Sequence, residues 1–132
     1  MTTLYLIRGC PGCGKSTLVK TLYGAAIVSA VIEADQHFIN EYGNYVFDAS
    51  KLGEAHNRCK QRVELYLNRG FSVAVSNTST TEKEVKTYQD IAEKYNAKFV
   101  SIVLENRHDG NNQHGVPDEK IQQMKNRFSI KL

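Results

Sequence analysis

Nine consecutive residues have the spacing of a phosphate-binding loop. They are Gly9, Cys10, Pro11, Gly12, Cys13, Gly14, Lys15, Ser16 and Thr17, which satisfy the pattern G-x-x-x-x-G-K-S/T in full. Glycines let consecutive backbone N–H groups point at one phosphate, and a helix that starts there favours anions. Lys15 would reach the β- and γ-phosphates, and the Ser16 hydroxyl would contact Mg²⁺. We therefore predict that these nine residues bind ATP, with GTP as the other purine choice.

A carboxylate stands where phosphoryl transfer needs a base. Asp35 comes three residues after the end of the apolar run 27–32. Because the carboxyl ends of parallel strands meet at one edge, we expect Asp35 to face the phosphate loop across a cleft. There it would take the proton of an acceptor hydroxyl and, with Ser16, serve as a ligand of Mg²⁺. A helix-capping role for Asp35 is the alternative, and Glu33 is the rival acid.

Positive charge around the transferring phosphate is the next requirement. Besides Lys15, Arg107 lies in the polar stretch 105–117, where a lid that excludes water would be placed. We predict that Arg107 is catalytic, with a solvated loop arginine as the alternative. His108 and His114 are interpreted as polar loop residues rather than metal ligands.

The strand ends favour a kinase over a motor ATPase. Motor ATPases usually carry an acid at the end of a central strand, which holds Mg²⁺ and orients water. The third predicted strand instead ends in Ser76-Asn77-Thr78, without a carboxylate.

Candidate acceptor-binding residues lie on the helix predicted over 51–69 and after the third strand. Arg58, Arg62 and Arg69 share one stripe of that helix, which would bind acceptor phosphates or form a solvated basic face. Asn77 and Thr78 are assigned to the acceptor as well.

Aromatic residues after Asp35 have two interpretations. Tyr42, Tyr45 and Phe47 would stack a base or nucleoside, or would pack in the core.

Cysteine usage indicates a reducing compartment. Cys10 and Cys13 form a C-x-x-C, a spacing typical of redox or zinc sites. Both, however, fill variable positions of the phosphate loop, and the sequence offers no second pair of ligands. The odd total of three cysteines is a poor disulfide framework, which predicts a cytoplasmic protein.

Length and composition fit one globular domain over residues 1–132. Hydrophobic residues make up 41% and charged residues 23%, which excludes a disordered chain. No apolar run approaches the ~18 residues of a membrane span, and we expect no signal peptide and no membrane partner. The net charge of +3 permits an anionic ligand.

Hydrophobic patterning predicts alternating strands and helices. The strands are expected at 4–7, 27–32, 71–75 and 99–104, and the helices at 16–23, 51–69, 81–95 and 117–128. Ser50 is the expected cap of the second helix, and Thr80 or Thr81 that of the third. The apolar strands predict a parallel sheet covered on both faces, which is an α/β three-layer sandwich of the P-loop NTPase type.

Several later segments carry a resemblance to a known family. They are Ala34-Asp35-Gln36-His37-Phe38, Tyr45-Val46-Phe47-Asp48, Leu52-Gly53-Glu54-Ala55-His56, Asn77-Thr78 and His114-Gly115-Val116-Pro117. Together with the phosphate loop, they make the chain resemble the kinase domain of phage polynucleotide 5′-hydroxyl kinases. It is more similar still to the polynucleotide-kinase-like domain of NEDD-ligase-binding proteins.

The resemblance implies an ATP- and Mg²⁺-dependent kinase with Asp35 as general base. It also implies a parallel sheet of four or five strands and an acceptor tunnel opposite the nucleotide. Two positions depart from the phage pattern. Phe38 stands where those enzymes carry an arginine, and Asn111 stands where the second lid arginine would be.

Three classes of function remain open from the sequence. The first is phosphorylation of the 5′-hydroxyl of a polynucleotide. The second is a kinase of a nucleoside, nucleotide or sugar, with a kinase of a hydroxylated base in DNA as a variant. The third is a nucleotide-binding module with little turnover, which Asn111 would permit.

Overall fold

Four parallel strands form the central sheet, in the spatial order β2-β3-β1-β4. The strands are β1 (Thr3–Arg8), β2 (Ala30–Ile32), β3 (Val73–Ser76) and β4 (Lys98–Val103). The computed structural model describes residues 1–107 and 115–132. The predicted parallel sheet of four or five strands is confirmed with four among the described residues.

Helices cover both faces of this sheet. They are α1 (Lys15–Gly24), α2 (Leu52–Asn68), α3 (Glu82–Lys94) and α4 (Asp118–Arg127). Along β1, Leu4 and Leu6 pack with the buried residues of α2 and α3, whereas Ile7 packs with Val19 of α1. This alternation is what a strand buried on both sides requires. The predicted three-layer sandwich is therefore confirmed.

The start of the second strand was predicted wrongly because the chain turns there. The second strand begins at Ala30 rather than at Ile27, since residues 25–27 end α1. Ala26 has a φ of 59°, and the Ile27 N–H donates to the Leu22 carbonyl at 3.0 Å. Ile27 is consequently 47% exposed.

The start of α2 was predicted to within one residue, but its cap was predicted wrongly. The N-cap of α2 is Lys51, which makes no side-chain capping bond. Asp48 instead caps a preceding turn, because its carboxylate accepts hydrogen bonds from the Ser50 N–H at 3.0 Å and the Ser50 hydroxyl at 2.6 Å. A 3₁₀ turn at Ala49–Lys51 then leads into α2. The three- and four-residue spacings of Leu52, Ala55, Cys59, Val63 and Leu67 predict one buried face on this helix. The last four are buried, whereas Leu52 is exposed.

The C-terminal segment docks against the end of β1. Arg8 is buried, and its guanidinium donates to the Ser79 carbonyl at 2.8 Å and to the Ser129 carbonyl at 2.6 Å. The same guanidinium lies 5.0 Å from the centre of the Phe128 ring. This contact holds the residues after α4 beside the start of the phosphate loop. No helix in the described part of the chain is long and apolar enough to cross a membrane.

Candidate active site

The phosphate loop connects the carboxyl end of β1 to the first turn of α1. Gly12 and Gly14 have φ values of 87° and 97°, a region that favours glycine, and Gly14 is the N-cap of α1. The Cys13 N–H donates to the Cys10 carbonyl at 3.2 Å, which closes the turn. A side chain at Gly9 would place its Cβ 2.2 Å from the Cys13 sulfur. These glycines are therefore required by local geometry.

Lys15 lies across this loop. Its ammonium donates to the Gly9 carbonyl at 2.8 Å and to the Cys10 carbonyl at 3.2 Å, and it lies 3.9 Å from the Cys13 sulfur. The charge is thus fixed inside the cradle formed by the loop. Ser16 and Thr17 follow on the exposed side of the first turn of α1.

Asp35 lies in a short 3₁₀ turn, Ala34–Phe38, immediately after β2. Glu33 is the N-cap of that turn: its side chain accepts the backbone N–H of Gln36, and the Gln36 side chain accepts the Glu33 N–H at 3.2 Å. Capping is therefore performed by Glu33, which was the rival acid, and the half-buried Asp35 carboxylate is not the cap.

Asn77 fixes this turn from the neighbouring strand. Its carbonyl oxygen accepts the Ala34 N–H at 3.0 Å, and its amide group lies 3.4 Å from the Tyr88 hydroxyl and 3.7 Å from the Cys59 sulfur. The Thr78 carbonyl accepts the Gly9 N–H at 3.3 Å. Asn77 and Thr78, which were predicted to bind the acceptor, therefore link the end of β3 to the turn that contains Asp35 and to the phosphate loop.

The Asp35 carboxylate has one partner from the following loop. The Tyr45 hydroxyl hydrogen-bonds to it, and burial, together with that negative charge, raises the pKa of Tyr45. The Tyr45 ring packs edge-on against Phe38, with ring centres 6.3 Å apart. Phe38 is buried, and the Phe47 ring also lies against it, with ring centres 5.1 Å apart. Tyr45 and Phe47 are nevertheless partly exposed, and Tyr42 is 80% exposed.

Arg58 and Arg62 line a pocket of about 130 Å³ between α2 and the 34–38 turn. Arg62 donates to the Gln36 side chain. Arg69, at the C-cap of α2, does not line this pocket.

Arg107 lies at the edge of the described residues. It is exposed and forms an ion pair with Glu105. The predicted lid spans 105–117, and its central part, with His108, Asn111 and His114, lies outside the described residues.

The cysteines of the loop are free thiols. Burial raises the pKa of Cys10, and the neighbouring Cys13 acts in the same direction, while Lys15 opposes them. The thiol form is therefore favoured at neutral pH, which makes Cys10 a poor nucleophile.

The donor set fits Mg²⁺ bound together with a nucleotide. Mg²⁺ prefers oxygen ligands and is usually held by one or two protein groups plus substrate phosphates. Ser16 and Asp35 supply oxygens at the same edge of the sheet. Within residues 1–107 and 115–132, no three His, Cys, Asp or Glu side chains are grouped to hold a metal by themselves.

The comparisons with known proteins agree with this geometry. A family model described as an AAA domain matches residues 4–130, nearly the whole chain. The chain belongs to this AAA-domain family. Its fold is that of the P-loop kinases, and the resemblance to polynucleotide-kinase-like proteins is confirmed.

Three individual matches illustrate the range of related proteins. NEDD4-binding protein 2 from Homo sapiens is 34% identical over 137 residues, which cover 92% of this chain and 7% of that protein. The chain therefore spans a small fraction of this relative. In the Pnkp1/Rnl/Hen1 RNA repair complex, one chain matches with a TM-score of 0.71 and 16% identity, over 98% of this chain and 47% of that one. The APS kinase CysC of Mycobacterium tuberculosis matches with a TM-score of 0.63 and 15% identity, over 96% of both chains.

Sequence reasoning missed residues whose side chains contact the site from other segments of the chain. Gln36 contacts the Val31 carbonyl at 3.1 Å, the Glu33 N–H and Arg62. The spacing of Glu33 and Gln36 matches a capping box, but Glu is not a usual N-cap residue, so the signal is weak. The bond from Tyr45 to Asp35 spans a loop and has no sequence signature.

Proposed function

We propose that this domain is an ATP- and Mg²⁺-dependent kinase that phosphorylates the 5′-hydroxyl of a polynucleotide. The observation that supports this proposal is that the phosphate loop and the Asp35 turn leave the same edge of one sheet, after β1 and β2. A kinase needs these two features opposite each other. The coarser statement, a P-loop kinase-like domain related to polynucleotide and small-molecule kinases, rests on the comparisons above.

Each part of the proposed reaction is assigned to particular residues of this chain. Backbone N–H groups of the loop and the Lys15 ammonium bind the triphosphate and offset charge on the transferring group. Asp35 takes the proton of the acceptor hydroxyl while the new O–P bond forms and the bond to the β-phosphate oxygen breaks, which releases ADP. Ser16 and Asp35 would hold Mg²⁺, which would offset negative charge on the phosphates. We assign Arg107 to the same transferring phosphate.

A small-molecule acceptor is the second candidate. The likeness to an APS kinase over 96% of both chains favours it. The three free thiols support a reducing compartment such as the cytoplasm for either function.

Labelled ATP offered with a panel of acceptors tests the proposal. The panel contains a 5′-hydroxyl oligonucleotide, a nucleoside and hydroxymethylated DNA. Label transferred to the oligonucleotide alone supports the polynucleotide acceptor, and label on the nucleoside alone supports the second candidate. Tight ATP binding without label on any acceptor would leave a nucleotide-binding module.

Two variants test the assigned roles. Asp35→Asn should bind ATP normally and lose turnover by several orders of magnitude, because the variant cannot accept the proton. Lys15→Ala should lose at least about tenfold in ATP affinity, the scale of hydrogen bonds to a charged group. Asp90→Asn is the matched control, since Asp90 is exposed on α3 and, among the described residues, pairs with Lys86. Normal turnover in Asp35→Asn would remove the proposed mechanism.

A further inference from the structure

A buried tyrosine lies behind the turn that contains Asp35. Tyr88 extends from α3 into the core and is 4% exposed. Its hydroxyl donates to the Cys59 sulfur at 3.3 Å and accepts a hydrogen bond from the Asn77 amide nitrogen at 3.4 Å. Burial raises the pKa of Tyr88, so the hydroxyl keeps its proton at neutral pH. The ring fills core space, and the hydroxyl serves its two polar neighbours.

Asn77 is hydrogen-bonded at both ends of its side-chain amide. The amide oxygen accepts the Ala34 N–H at 3.0 Å. The amide nitrogen donates to the Tyr88 hydroxyl and lies 3.7 Å from the Cys59 sulfur. Because the oxygen and the nitrogen of an amide rotate together about one bond, a partner that fixes the nitrogen also fixes the oxygen. Tyr88 therefore favours the orientation in which Asn77 accepts from the turn.

The bond from Asn77 reaches the backbone next to the proposed base. Ala34 directly precedes Asp35 and begins the 3₁₀ turn Ala34–Phe38. On the other side of Asp35, the Gln36 side chain donates to the Val31 carbonyl at 3.1 Å. These two bonds fix the backbone from which the Asp35 carboxylate extends. The position of a base matters, because a displacement of about 1 Å can lower a rate roughly 100-fold.

We propose that Tyr88 is a positioning residue for Asp35, which it orients through the Asn77 amide. The inference rests on the proposed kinase function for the role of Asp35 in turnover. The effect of Tyr88 on the turn is a separate property that is measurable without turnover.

Steady-state kinetics of Tyr88→Phe tests the role in turnover. This variant keeps the ring and removes the hydroxyl, so kcat should fall roughly tenfold. KM for ATP should stay unchanged, because the phosphate loop is joined to the end of β3 by a backbone bond, from the Gly9 N–H to the Thr78 carbonyl. A wild-type kcat in Tyr88→Phe would overturn the proposal.

Tyr95→Phe is the matched control. The Tyr95 hydroxyl also bonds to α2, through the Glu64 carboxylate at 3.3 Å, and Tyr95 is the C-cap of α3. Its loss removes a tyrosine hydroxyl bond of the same length between the same two helices, away from Asn77. This variant should keep the wild-type kcat, and an equal loss of kcat in both variants would assign the effect to helix packing and overturn the proposal.

A double-mutant cycle separates positioning from packing. Tyr88→Phe is combined with Asn77→Ala, which removes the amide between Tyr88 and the turn. If Tyr88 acts through Asn77, Tyr88→Phe should lower kcat by less than about twofold in the Asn77→Ala background. The same loss of kcat in both backgrounds would show that Tyr88 affects the site by another route, contrary to the proposal.

Amide hydrogen exchange at Ala34 separates failure of this inference from failure of the kinase function. The exchange rate is followed by NMR on the full chain without acceptor. Because the Ala34 N–H donates to Asn77, its exchange should be roughly tenfold faster in Tyr88→Phe and unchanged in Tyr95→Phe. Faster exchange supports the effect of Tyr88 on the turn even if no acceptor is phosphorylated. Unaltered exchange at Ala34 in Tyr88→Phe would refute the inference.

Discussion

Gly9 shows at the scale of one residue how closely the phosphate loop is packed. A Cβ at this position would lie 2.2 Å from the Cys13 sulfur and 3.2 Å from the Leu104 carbonyl oxygen. Atoms this close must move, and Cys13 is buried, so the sulfur has little room. We therefore expect Gly9→Ala to distort the cradle and to lower ATP affinity at least about tenfold, with a stability loss of about 1–3 kcal/mol, as measured by calorimetric titration and urea unfolding.

Gly53→Ala is the control for Gly9→Ala. Gly53 lies in the first turn of α2, where an added Cβ meets nothing within 4 Å, so the substitution should be neutral or slightly stabilising. Replacing Cys13 by alanine in the Gly9→Ala background removes the clashing sulfur and should restore part of the affinity. Unchanged ATP binding in Gly9→Ala alone would show that the loop tolerates the added methyl group.

The residues that a sequence can reveal are those whose role follows from spacing. The phosphate loop was predicted because its chemistry requires consecutive residues, and Asp35 because it follows a strand. The contact of Asn77 with Ala34, by contrast, joins residues 43 positions apart. Such a bond depends on which strands are neighbours, and therefore only the folded chain reveals that Asn77 supports the turn.

The sequence predicted which helices and strands exist better than it predicted where each of them begins and ends. The spacing of apolar residues indicates which face of α2 is buried, and Gly70, with a φ of 82°, follows the end of this helix. The errors at Ile27 and Ser50 arose where local hydrogen bonds of a turn compete with the hydrophobic pattern. One or two hydrogen bonds decide this competition, and the hydrophobic periodicity of the sequence carries no information about them.

The capping box of α3 provides a test at the scale of one element. The Thr81 hydroxyl accepts the Glu84 N–H at 3.3 Å, and the Glu84 carboxylate accepts the Thr81 N–H at 3.4 Å. We expect Thr81→Ala to lower the free energy of unfolding by about 1 kcal/mol in urea denaturation. Thr87→Ala, inside the same helix, is the control and should be near neutral, because alanine favours the helix interior. Equal losses in both variants would show that the cap contributes nothing specific.

A polar cluster lies among the packed side chains where α2, α3 and the end of β3 meet. The Tyr88 hydroxyl donates to the Cys59 sulfur at 3.3 Å, and Asn77 contacts both. Burial is the main cause that raises the pKa of Cys59 above its ordinary value of 9.0 and the pKa of Tyr88 above 10.0. Each group thus keeps its proton in the folded chain at a pH where the unfolded chain has lost it.

Stability should therefore fall in alkali. Well below pH 9 both groups are protonated in both states and their contribution is complete. As the pH rises through the ordinary pKa of 9.0 for Cys59 and of 10.0 for Tyr88, the unfolded chain binds fewer protons and the free energy of unfolding decreases. Each group contributes a slope of at most about 1.4 kcal/mol per pH unit. Urea denaturation between pH 8 and pH 10 should show that Cys59→Ser, which retains an acceptor for Tyr88 but does not titrate in this range, has a shallower slope than wild type. Tyr42→Phe, at an exposed position, should keep the wild-type slope, and a wild-type slope in Cys59→Ser would show that this thiol is not what couples the fold to pH.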